Sequence, residues 1–354
     1  MTTRPYGPTG ETTTTLGLGG AFLTANSFDD GVATVRRALD LGVRYFDTSP
    51  MYCRGASQAV VGQALDGTSE PHLLATKLGY FARPERFHSR EALVTQFEEN
   101  LRLLRRDHVD TLQLHEADFH HWWSSAPPHT GRIRADIDYS FDEAPALAAL
   151  RELKREGRCR FIGITGNTAD NMQRVVEAVE VDTLLLAFNY DLIRRGARAV
   201  LPVADTKGCV RLVGAIFQRG LAVPKPELLS DPPEWMTPDL VERYRRVYAL
   251  HAQSGMSVAE MGVRYIAAQP GIDTIIIGAK TPAEIEECVR AEEKGPLPED
   301  MVAEIEAIGG PEPPTGGQLL DLYRSRRRQV SDRYLESAAE AVEHDLPPDD
   351  PRTR

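Results

Sequence analysis

The chain has few cysteines, and none of them form a pattern typical of a metal site or a disulfide framework. Only four of the 354 residues are cysteines, and Cys53, Cys159, Cys209 and Cys288 lie far apart with no Cys-x-x-Cys pair. This spacing is typical of free thiols in a reducing compartment. The sequence also lacks an apolar leader of signal-peptide length and any run of the ~20 apolar residues that a membrane span requires. We therefore expect a cytoplasmic protein without a membrane association.

Basic residues are in the minority. The chain carries 41 Lys and Arg against 52 Asp and Glu, a formal net charge of −11. Because an acidic surface repels phosphates on average, general nucleic-acid binding is not expected. Hydrophobic residues nevertheless make up 42% of the chain, which is enough to build a core and excludes a mostly disordered protein. The length allows two or three domains, or one barrel of roughly 250 residues with additions.

Short apolar runs rich in β-branched residues alternate with helical patterns. Eight such runs cover residues 15–18, 43–46, 72–75, 109–114, 160–164, 183–188, 211–215 and 274–277. The helical patterns include apolar stripes at Leu93, Phe97, Leu101 and Leu104 and at Met172, Val175, Val176 and Val179, and capping boxes that begin at Ser257 and Thr281. This alternation indicates parallel strands joined by crossovers. Eight such units favour a closed (β/α)8 barrel.

An open, doubly wound sheet is the alternative α/β architecture. Its G-x-G-x-x-G fingerprint is absent, because residues 16–20 read Leu-Gly-Leu-Gly-Gly and lack the third glycine at the required offset. We therefore predict an α/β protein with a TIM barrel over residues 1–310 and a C-terminal helical extension over 311–354. This tail is expected to pack on the barrel or on a second copy of the chain, which would give a homo-oligomer. A long loop over 118–139 follows the fourth strand.

Four ionisable residues of different types follow three successive predicted strands. Asp47 and Tyr52 follow the second strand, Lys77 ends the third and His115 ends the fourth. Barrel enzymes place their catalytic groups at the C-terminal ends of the strands, so these side chains are expected to converge. An ammonium lowers the pKa of a neighbouring phenol, a carboxylate holds the ammonium, and a neutral imidazole can orient a carbonyl oxygen. The set predicts proton transfer at a reacting oxygen, although each residue alone would also fit a structural role.

The segments that carry these residues resemble the aldo-keto reductase superfamily. Residues 42–52, Ala75-Thr76-Lys77 and Leu112-Gln113-Leu114-His115 match in order, and the glycine-rich end of the first strand matches as well. The resemblance extends from about residue 15 to about residue 308. Gly163-Ile164-Thr165-Gly166 is similar to the branch that contains L-galactose dehydrogenase and D-threo-aldose dehydrogenase.

The resemblance implies an NAD(P)-dependent oxidoreductase. Tyr52 would be the general acid/base, Lys77 and Asp47 would tune it, and His115 would orient the substrate carbonyl. A hydride would pass between the nicotinamide of NAD(H) or NADP(H) and a carbonyl or alcohol of a sugar-like or cyclic small molecule. The alternative is a regulatory protein of the same fold that binds the cofactor without catalysis.

The resemblance also implies a set of cofactor-binding residues. They are Gly19, Gly20, Asp47, Thr165, Gly166, Asn167, Arg219, Gly220, Gly278, Lys280, Glu284 and Glu287. Two family contacts to the nicotinamide are lost, since Leu185 replaces a glutamine and Gly214 replaces a stacking aromatic residue. Glu284 stands where NADP-preferring members commonly carry an arginine, which favours NAD. Glu284 is also explained as part of a capping box, and Lys280 could still pair with a phosphate.

The substrate residues and a metal site are less defined by the sequence. Phe22, Trp122, Trp123 and Asn189 are candidates for substrate contacts, although the two tryptophans would also suit packing of the long loop. A metal-dependent hydrolase is a rival interpretation, because His115, Glu116, Asp118, His120 and His121 cluster in sequence. A single strand would supply all of these ligands, whereas barrel metal sites draw on several strands. We therefore expect no metal.

Overall fold

The computed structural model describes residues 1–81, 83–126, 131–220, 223–233 and 236–309. Its strands are β1 Thr3–Pro5, β2 Thr12–Thr14, β3 Leu16–Gly19, β4 Tyr45–Asp47, β5 Leu73–Leu78, β6 Val109–Leu114, β7 Cys159–Gly166, β8 Thr183–Ala187, β9 Val210–Gly214 and β10 Thr274–Ile277. Strands β3 to β10 are parallel and form a closed barrel in which β10 pairs with β3. The predicted TIM barrel is confirmed, and each of the eight predicted runs overlaps one of its strands.

The first nine helices lie between consecutive barrel strands, and the last two follow β10. They are α1 Phe28–Asp40, α2 Ala56–Ala64, α3 Arg90–Leu104, α4 Pro145–Arg155, α5 Ala169–Ala178, α6 Ala197–Thr206, α7 Pro226–Ser230, α8 Pro238–Ser254, α9 Val258–Ala267, α10 Pro282–Glu293 and α11 Glu299–Ile308. Both predicted apolar stripes are buried against the barrel. The side chains of Ser257 and Thr281 accept hydrogen bonds from the amides of Glu260 and Glu284, so the predicted helix starts are confirmed.

An N-terminal hairpin, which the polar and threonine-rich sequence does not predict, covers one end of the barrel. Strands β1 and β2 pair antiparallel, and Tyr6 follows β1 as a fully buried residue. The Tyr6 ring lies 5.6 Å from the Tyr45 ring and 5.7 Å from the Phe161 ring. Its hydroxyl is 3.1 Å from Oγ1 of Thr111. Burial raises the pKa of Tyr6 and of Tyr45 well above the ordinary tyrosine value, so both phenols stay neutral. Tyr6 therefore fills the barrel interior at the N-terminal end of the strands.

Two predicted segments are only partly covered by the described residues. The tail over 311–354, with its predicted helix and its predicted contact to a second copy, lies outside them. In the described part of the loop over 118–139, a short 3-10 helix covers His120–Trp122, and Phe119 bridges to Arg132. None of the helices in the described ranges combines the length and the apolar composition that crossing a bilayer requires.

Tyr6 provides a test of the hairpin as part of the core. We expect Tyr6→Ala to reduce the free energy of unfolding by about 3–5 kcal/mol, because it removes a large buried side chain and leaves a void. Thr3→Ala, an exposed change in the same hairpin, is the matched control and should shift stability by no more than about 0.5 kcal/mol. Urea denaturation followed by circular dichroism measures both. Equal losses in the two variants would contradict a stabilising role of Tyr6.

Candidate active site

A buried ion pair lies at the C-terminal end of the barrel. Asp47 is the last residue of β4, and Lys77 lies near the end of β5 on the neighbouring strand. Nζ of Lys77 donates to Oδ1 of Asp47 and, over 2.8 Å, to the carbonyl oxygen of Thr48. Burial lowers the pKa of Lys77, and the carboxylate of Asp47 opposes that shift. The pair is therefore held in one geometry with both side chains almost fully out of solvent.

Tyr52 and His115 lie beside this ion pair. Nζ of Lys77 is 4.8 Å from the centre of the Tyr52 ring. The rings of Tyr52 and His115 meet edge to face, with centres 5.4 Å apart and an interplanar angle of 87°. The structure thus brings together the four side chains that the sequence placed on three strands.

The backbone that follows Tyr52 is strained. Cys53 and Arg54 have φ angles of 54° and 57°, in the left-handed region that non-glycine residues rarely adopt, and Gly55 follows with φ of 90°. The thiol of Cys53 anchors this turn, because it lies 3.4 Å from the carbonyl oxygen of Gly20 and 3.4 Å from the amide of Thr24. The turn that carries Tyr52 is therefore attached to the loop after β3. Such strain persists where the surrounding contacts fix a functional conformation.

A layer of buried polar side chains supports the ion pair from below. Nε2 of Gln113 donates to Oδ2 of Asp47 over 3.1 Å, and Nδ2 of Asn100 donates to the carbonyl oxygen of Lys77 over 2.9 Å. Gln58 in turn donates to Oδ1 of Asn100 over 3.0 Å. The sequence analysis missed these residues. A signal was present, because Gln113 is a polar residue inside an otherwise apolar strand, where it needs a buried partner.

Ser49 is hydrogen-bonded to the imidazole of His115. Oγ of Ser49 is 2.9 Å from Nδ1 of His115, and it accepts the amide of Met51 over 3.2 Å. Ser49 is fully buried. Among the described residues, Nδ1 of His115 is the acceptor within reach of the Ser49 hydroxyl hydrogen. If Ser49 donates to Nδ1, an imidazole with one hydrogen carries it on Nε2.

A cavity of about 410 Å³ opens at this end of the barrel. The four catalytic candidates line its wall, and so do most of the predicted cofactor residues and Phe22. The cofactor candidates in the wall are Gly19, Asp47, Thr165, Gly166, Asn167, Gly220, Gly278, Lys280, Glu284 and Glu287. The wall also contains Leu185, Phe188, Ile216 and Phe217. One cavity thus connects the ion pair at the strand ends with the N-terminus of α10.

Gly20 and Arg219 are the other two predicted cofactor residues. Gly20 is buried outside the cavity wall, where its carbonyl oxygen accepts the hydroxyl of Ser57 over 2.9 Å. A Cβ at Gly20 would lie 2.2 Å from that hydroxyl oxygen, so the glycine permits close packing of the first two loops. Arg219 lies in a short 3-10 helix over Gln218–Gly220, and its side chain is outside the described part of the structure.

Three of the predicted substrate residues, Trp122, Trp123 and Asn189, are not among the residues that line the cavity. The indole of Trp122 is fully buried and donates to the carbonyl oxygen of His115 over 3.0 Å. The indole of Trp123 donates to the carbonyl oxygen of Ala117 over 2.6 Å. Both tryptophans therefore pack the long loop onto the barrel. A buried indole usually has a hydrogen-bond partner for its N–H, and here both indoles have one. Asn189 is also buried outside the wall, and its Nδ2 donates to the carbonyl oxygen of Asn167 over 2.9 Å.

Two buried carboxylates, Glu116 and Asp118, follow β6, and the sequence analysis considered them only as metal ligands. Glu116 lines the cavity. Oε1 of Glu116 accepts Nδ2 of Asn167 over 2.6 Å, and the Glu116 amide donates to Oγ1 of Thr165 over 2.9 Å. Oδ2 of Asp118 accepts the Asn167 amide over 3.0 Å, and its Oδ1 lies 2.7 Å from Arg132. Burial raises the pKa of Asp118, and Arg132 opposes that shift.

The histidines of the metal-site interpretation have other partners. The His120 ring nitrogens lie 2.7 Å from the Tyr139 hydroxyl and 2.9 Å from the carbonyl oxygen of Ala126. The ring of His121 stacks on Phe119, and burial lowers its pKa to about 4. Among the residues that the structure describes, no three His, Cys, Asp or Glu side chains converge as metal ligands.

The N-terminus of α10 forms the other end of the cavity. Oγ1 of Thr281 accepts the amide of Glu284, and Oε2 of Glu284 accepts the amide of Lys280 over 2.8 Å. The free amides and the dipole at such a helix start favour an anionic group. Gly278 lies against Phe22, since a Cβ there would be 3.1 Å from the phenyl ring. Lys280 and Glu284 are exposed, so this end of the cavity carries charges of both signs.

Comparison with known proteins agrees with this geometry. The aldo/keto reductase family model matches residues 15–309. The chain is 30% identical to L-galactose dehydrogenase of Arabidopsis thaliana over 323 residues, which cover 86% of this chain and 93% of that protein. It is 25% identical to D-threo-aldose 1-dehydrogenase of Pseudomonas sp over 293 residues, which cover 75% of this chain and 84% of that protein. The holo form of aldo-keto reductase AKR11C1 from Bacillus halodurans has the same fold, with a TM-score of 0.68 at 24% identity over 88% of this chain and 97% of that chain. The chain therefore belongs to the aldo/keto reductase family, whose members are oxidoreductases that use nicotinamide cofactors on small carbonyl compounds.

Proposed function

We propose that this protein transfers a hydride between a nicotinamide cofactor and a carbonyl or alcohol of a sugar-like or cyclic small molecule, with Tyr52 as the general acid/base. The observation that carries the proposal is the convergence of Tyr52, Lys77, Asp47 and His115 at the inner end of one cavity. A phenol, an ammonium and an imidazole around one space suit proton transfer to an oxygen atom.

The residues around the cavity fit a nicotinamide dinucleotide. At one end, the α10 N-terminus and Lys280 suit the phosphates. At the other end, Thr165 and Asn167 offer polar groups beside the ion pair. Gly214 also lines the cavity and adds no side chain to its wall. When bound, the cofactor supplies or accepts the hydride.

The chain's own residues would move the proton. Oη of Tyr52 donates a proton to the substrate oxygen during reduction and takes it back during oxidation. The ammonium of Lys77 beside the Tyr52 ring stabilises the negative charge that the phenol oxygen acquires when it loses the proton. Asp47 keeps the ammonium in place and charged despite its burial.

His115 would hold the substrate oxygen in position. With Ser49 donating to Nδ1, the imidazole presents Nε2–H as a donor. A neutral donor can bind a carbonyl oxygen without competing with Tyr52 for the proton transfer. The edge-to-face contact with the Tyr52 ring keeps the imidazole and the phenol next to each other, so both can reach one oxygen atom.

The substrate class is supported by the relatives and by the cavity wall. L-galactose dehydrogenase and D-threo-aldose 1-dehydrogenase are named for sugars. The wall combines aromatic rings, at Phe22, Tyr80 and Phe188, with the polar groups at the inner end. Such a surface suits a ring-shaped molecule with one reacting oxygen, since the aromatic faces cover its apolar side.

Replacement of Tyr52 tests the general acid/base. We expect Tyr52→Phe to lower kcat by at least about 10²-fold, because a positioned acid or base contributes roughly 10²–10⁴-fold. The dissociation constant of the cofactor should stay within about twofold, because the phenol ring is retained. Turnover assays and cofactor fluorescence titration measure the two quantities.

Tyr248→Phe is the matched control, because Tyr248 lies on α8 and is not among the residues that line the cavity. It should leave kcat unchanged. Turnover of Tyr52→Phe at the level of this control would refute the assignment. Cofactor binding by a wild-type protein that turns over no aldose or cyclic ketone would instead favour the non-catalytic alternative.

Cofactor choice tests the role of Glu284. We expect NAD to be preferred over NADP, because an exposed carboxylate at the start of α10 repels a 2′-phosphate. Glu284→Gln keeps an acceptor for the Lys280 amide and removes the charge. It should raise kcat/KM for NADP by up to about tenfold, a change of ~1.4 kcal/mol, and leave the value for NAD nearly unchanged.

The control is Glu293→Gln, an exposed carboxylate at the other end of the same helix. It should leave kcat/KM for NAD and for NADP unchanged. A strong wild-type preference for NADP would exclude this role of Glu284, and so would a Glu284→Gln enzyme whose kcat/KM for NADP matches that of the control.

A further inference from the structure

Glu116 combines three unusual features in the cavity wall. It directly follows His115, it is buried although it is a carboxylate, and its φ of 56° is left-handed. Burial of a carboxylate and a left-handed conformation of a non-glycine residue are each unfavourable by themselves. Residues of this kind are retained where the surroundings fix them for a purpose. The contacts of Glu116 indicate what that purpose is.

The carboxylate of Glu116 fixes the orientation of the Asn167 amide. A carboxylate only accepts hydrogen bonds, so the amide nitrogen of Asn167 has to face it, as the 2.6 Å contact from Nδ2 to Oε1 shows. The backbone of Asn167 is held as well, by Asp118 at its amide and by Asn189 at its carbonyl oxygen. Asn167 therefore cannot exchange its oxygen and nitrogen by a flip or by a shift of the chain.

The Asn167 oxygen is consequently an acceptor for the cavity. Asn167 contributes to the cavity wall, and within the described residues its Oδ1 makes no hydrogen bond to the protein. Because the amide nitrogen is turned toward Glu116, the oxygen is turned away from it. The wall thus presents a hydrogen-bond acceptor to the cavity that the ion pair also lines.

The backbone amide of Glu116 orients a second polar group, the hydroxyl of Thr165. Its amide donates to Oγ1 of Thr165 over 2.9 Å, which leaves the hydroxyl hydrogen of Thr165 to be donated elsewhere. Thr165 also lines the cavity. Through its side chain and its amide, Glu116 therefore arranges one acceptor, at Asn167, and one donor, at Thr165.

This pair of groups complements a primary carboxamide, which has one accepting oxygen and a donating NH2 group. We propose that Glu116 is a positioning residue that fixes the hydrogen-bonding polarity of the carboxamide subsite. The Thr165 hydroxyl would donate to the carboxamide oxygen, and Oδ1 of Asn167 would accept from the NH2 group. Leu185 and Gly214 in the same wall have no polar side-chain atoms. The hydrogen-bonding polarity of the subsite therefore depends on Thr165 and Asn167, which Glu116 orients.

The inference rests on the proposed cofactor but not on the proposed chemistry, and it is tested by binding alone. The probes are NAD and its 3-acetylpyridine analogue, in which a methyl ketone keeps the carbonyl oxygen and removes the N–H donors. Isothermal titration calorimetry gives both dissociation constants. We expect the wild-type protein to bind NAD about tenfold or more tightly than the analogue, because the ketone leaves the Asn167 oxygen without a donor.

Substitution of Glu116 should remove this discrimination. In Glu116→Leu the Asn167 amide is no longer oriented, and the ratio of the two dissociation constants should fall to about twofold or less. Glu116→Gln can accept or donate, so it should give an intermediate ratio. Asn167→Ala should weaken NAD binding by about tenfold and leave analogue binding nearly unchanged. Glu177→Gln, an exposed carboxylate on α5, is the control and should keep the wild-type ratio.

The outcomes separate this inference from the catalytic proposal. A wild-type ratio near one, or the wild-type ratio in both Glu116 variants, would overturn it. If Glu116→Leu does not fold, Glu116→Gln and Asn167→Ala still decide the question. Tyr52→Phe should retain the full discrimination, so loss of turnover without loss of discrimination identifies Tyr52 and Glu116 as separate functions. Failure of the wild-type protein to bind either dinucleotide would overturn both proposals.

Discussion

The buried ion pair between Lys77 and Asp47 is the constraint on which the rest of the site depends. Removing two charges from water is expensive, and their attraction repays that cost only when the remaining hydrogen bonds are made. Here the carbonyl oxygen of Thr48 and the amide of Gln113 provide those bonds. A pair of apolar residues could fill the same space without this requirement. The role proposed for the ammonium beside Tyr52 therefore explains the pair better than stability does.

The order of the barrel strands brings the members of this site together. Asp47 and Lys77 lie on adjacent strands, and His115 follows the next one, so three neighbouring parallel strands bring three side chains to one rim. The end opposite this rim is filled by Tyr6, whose hydroxyl bonds near the start of β6. Because Tyr6 fills this end of the barrel interior, the side chains at the rim lie on a packed core. Loops then add the parts that differ from one family member to another.

The parts predictable from sequence are those that a repeating pattern or a strand end determines. The barrel strands follow from short apolar runs, and Lys77 and His115 follow from their places at strand ends. The hairpin of Tyr6 could not be predicted, because its strands are polar and three residues long. The position of Trp122 could not be predicted, because a loop sequence does not say which side of the barrel rim its side chains face. Glu116 was considered only as a metal ligand, since its role depends on a left-handed backbone and on a partner, Asn167, from another strand.

The two ends of the cavity differ in how strongly charge can act. Lys280 and Glu284 are exposed, so their effect on a phosphate is screened by water and salt and falls as ionic strength rises. Glu116 is buried, and its hydrogen bond to Asn167 is scarcely exposed to such screening. Discrimination at the carboxamide end should therefore persist at high salt, whereas the preference between NAD and NADP should weaken. Because a glutamate acts at both ends of the cavity, the expected difference in salt dependence follows from burial alone.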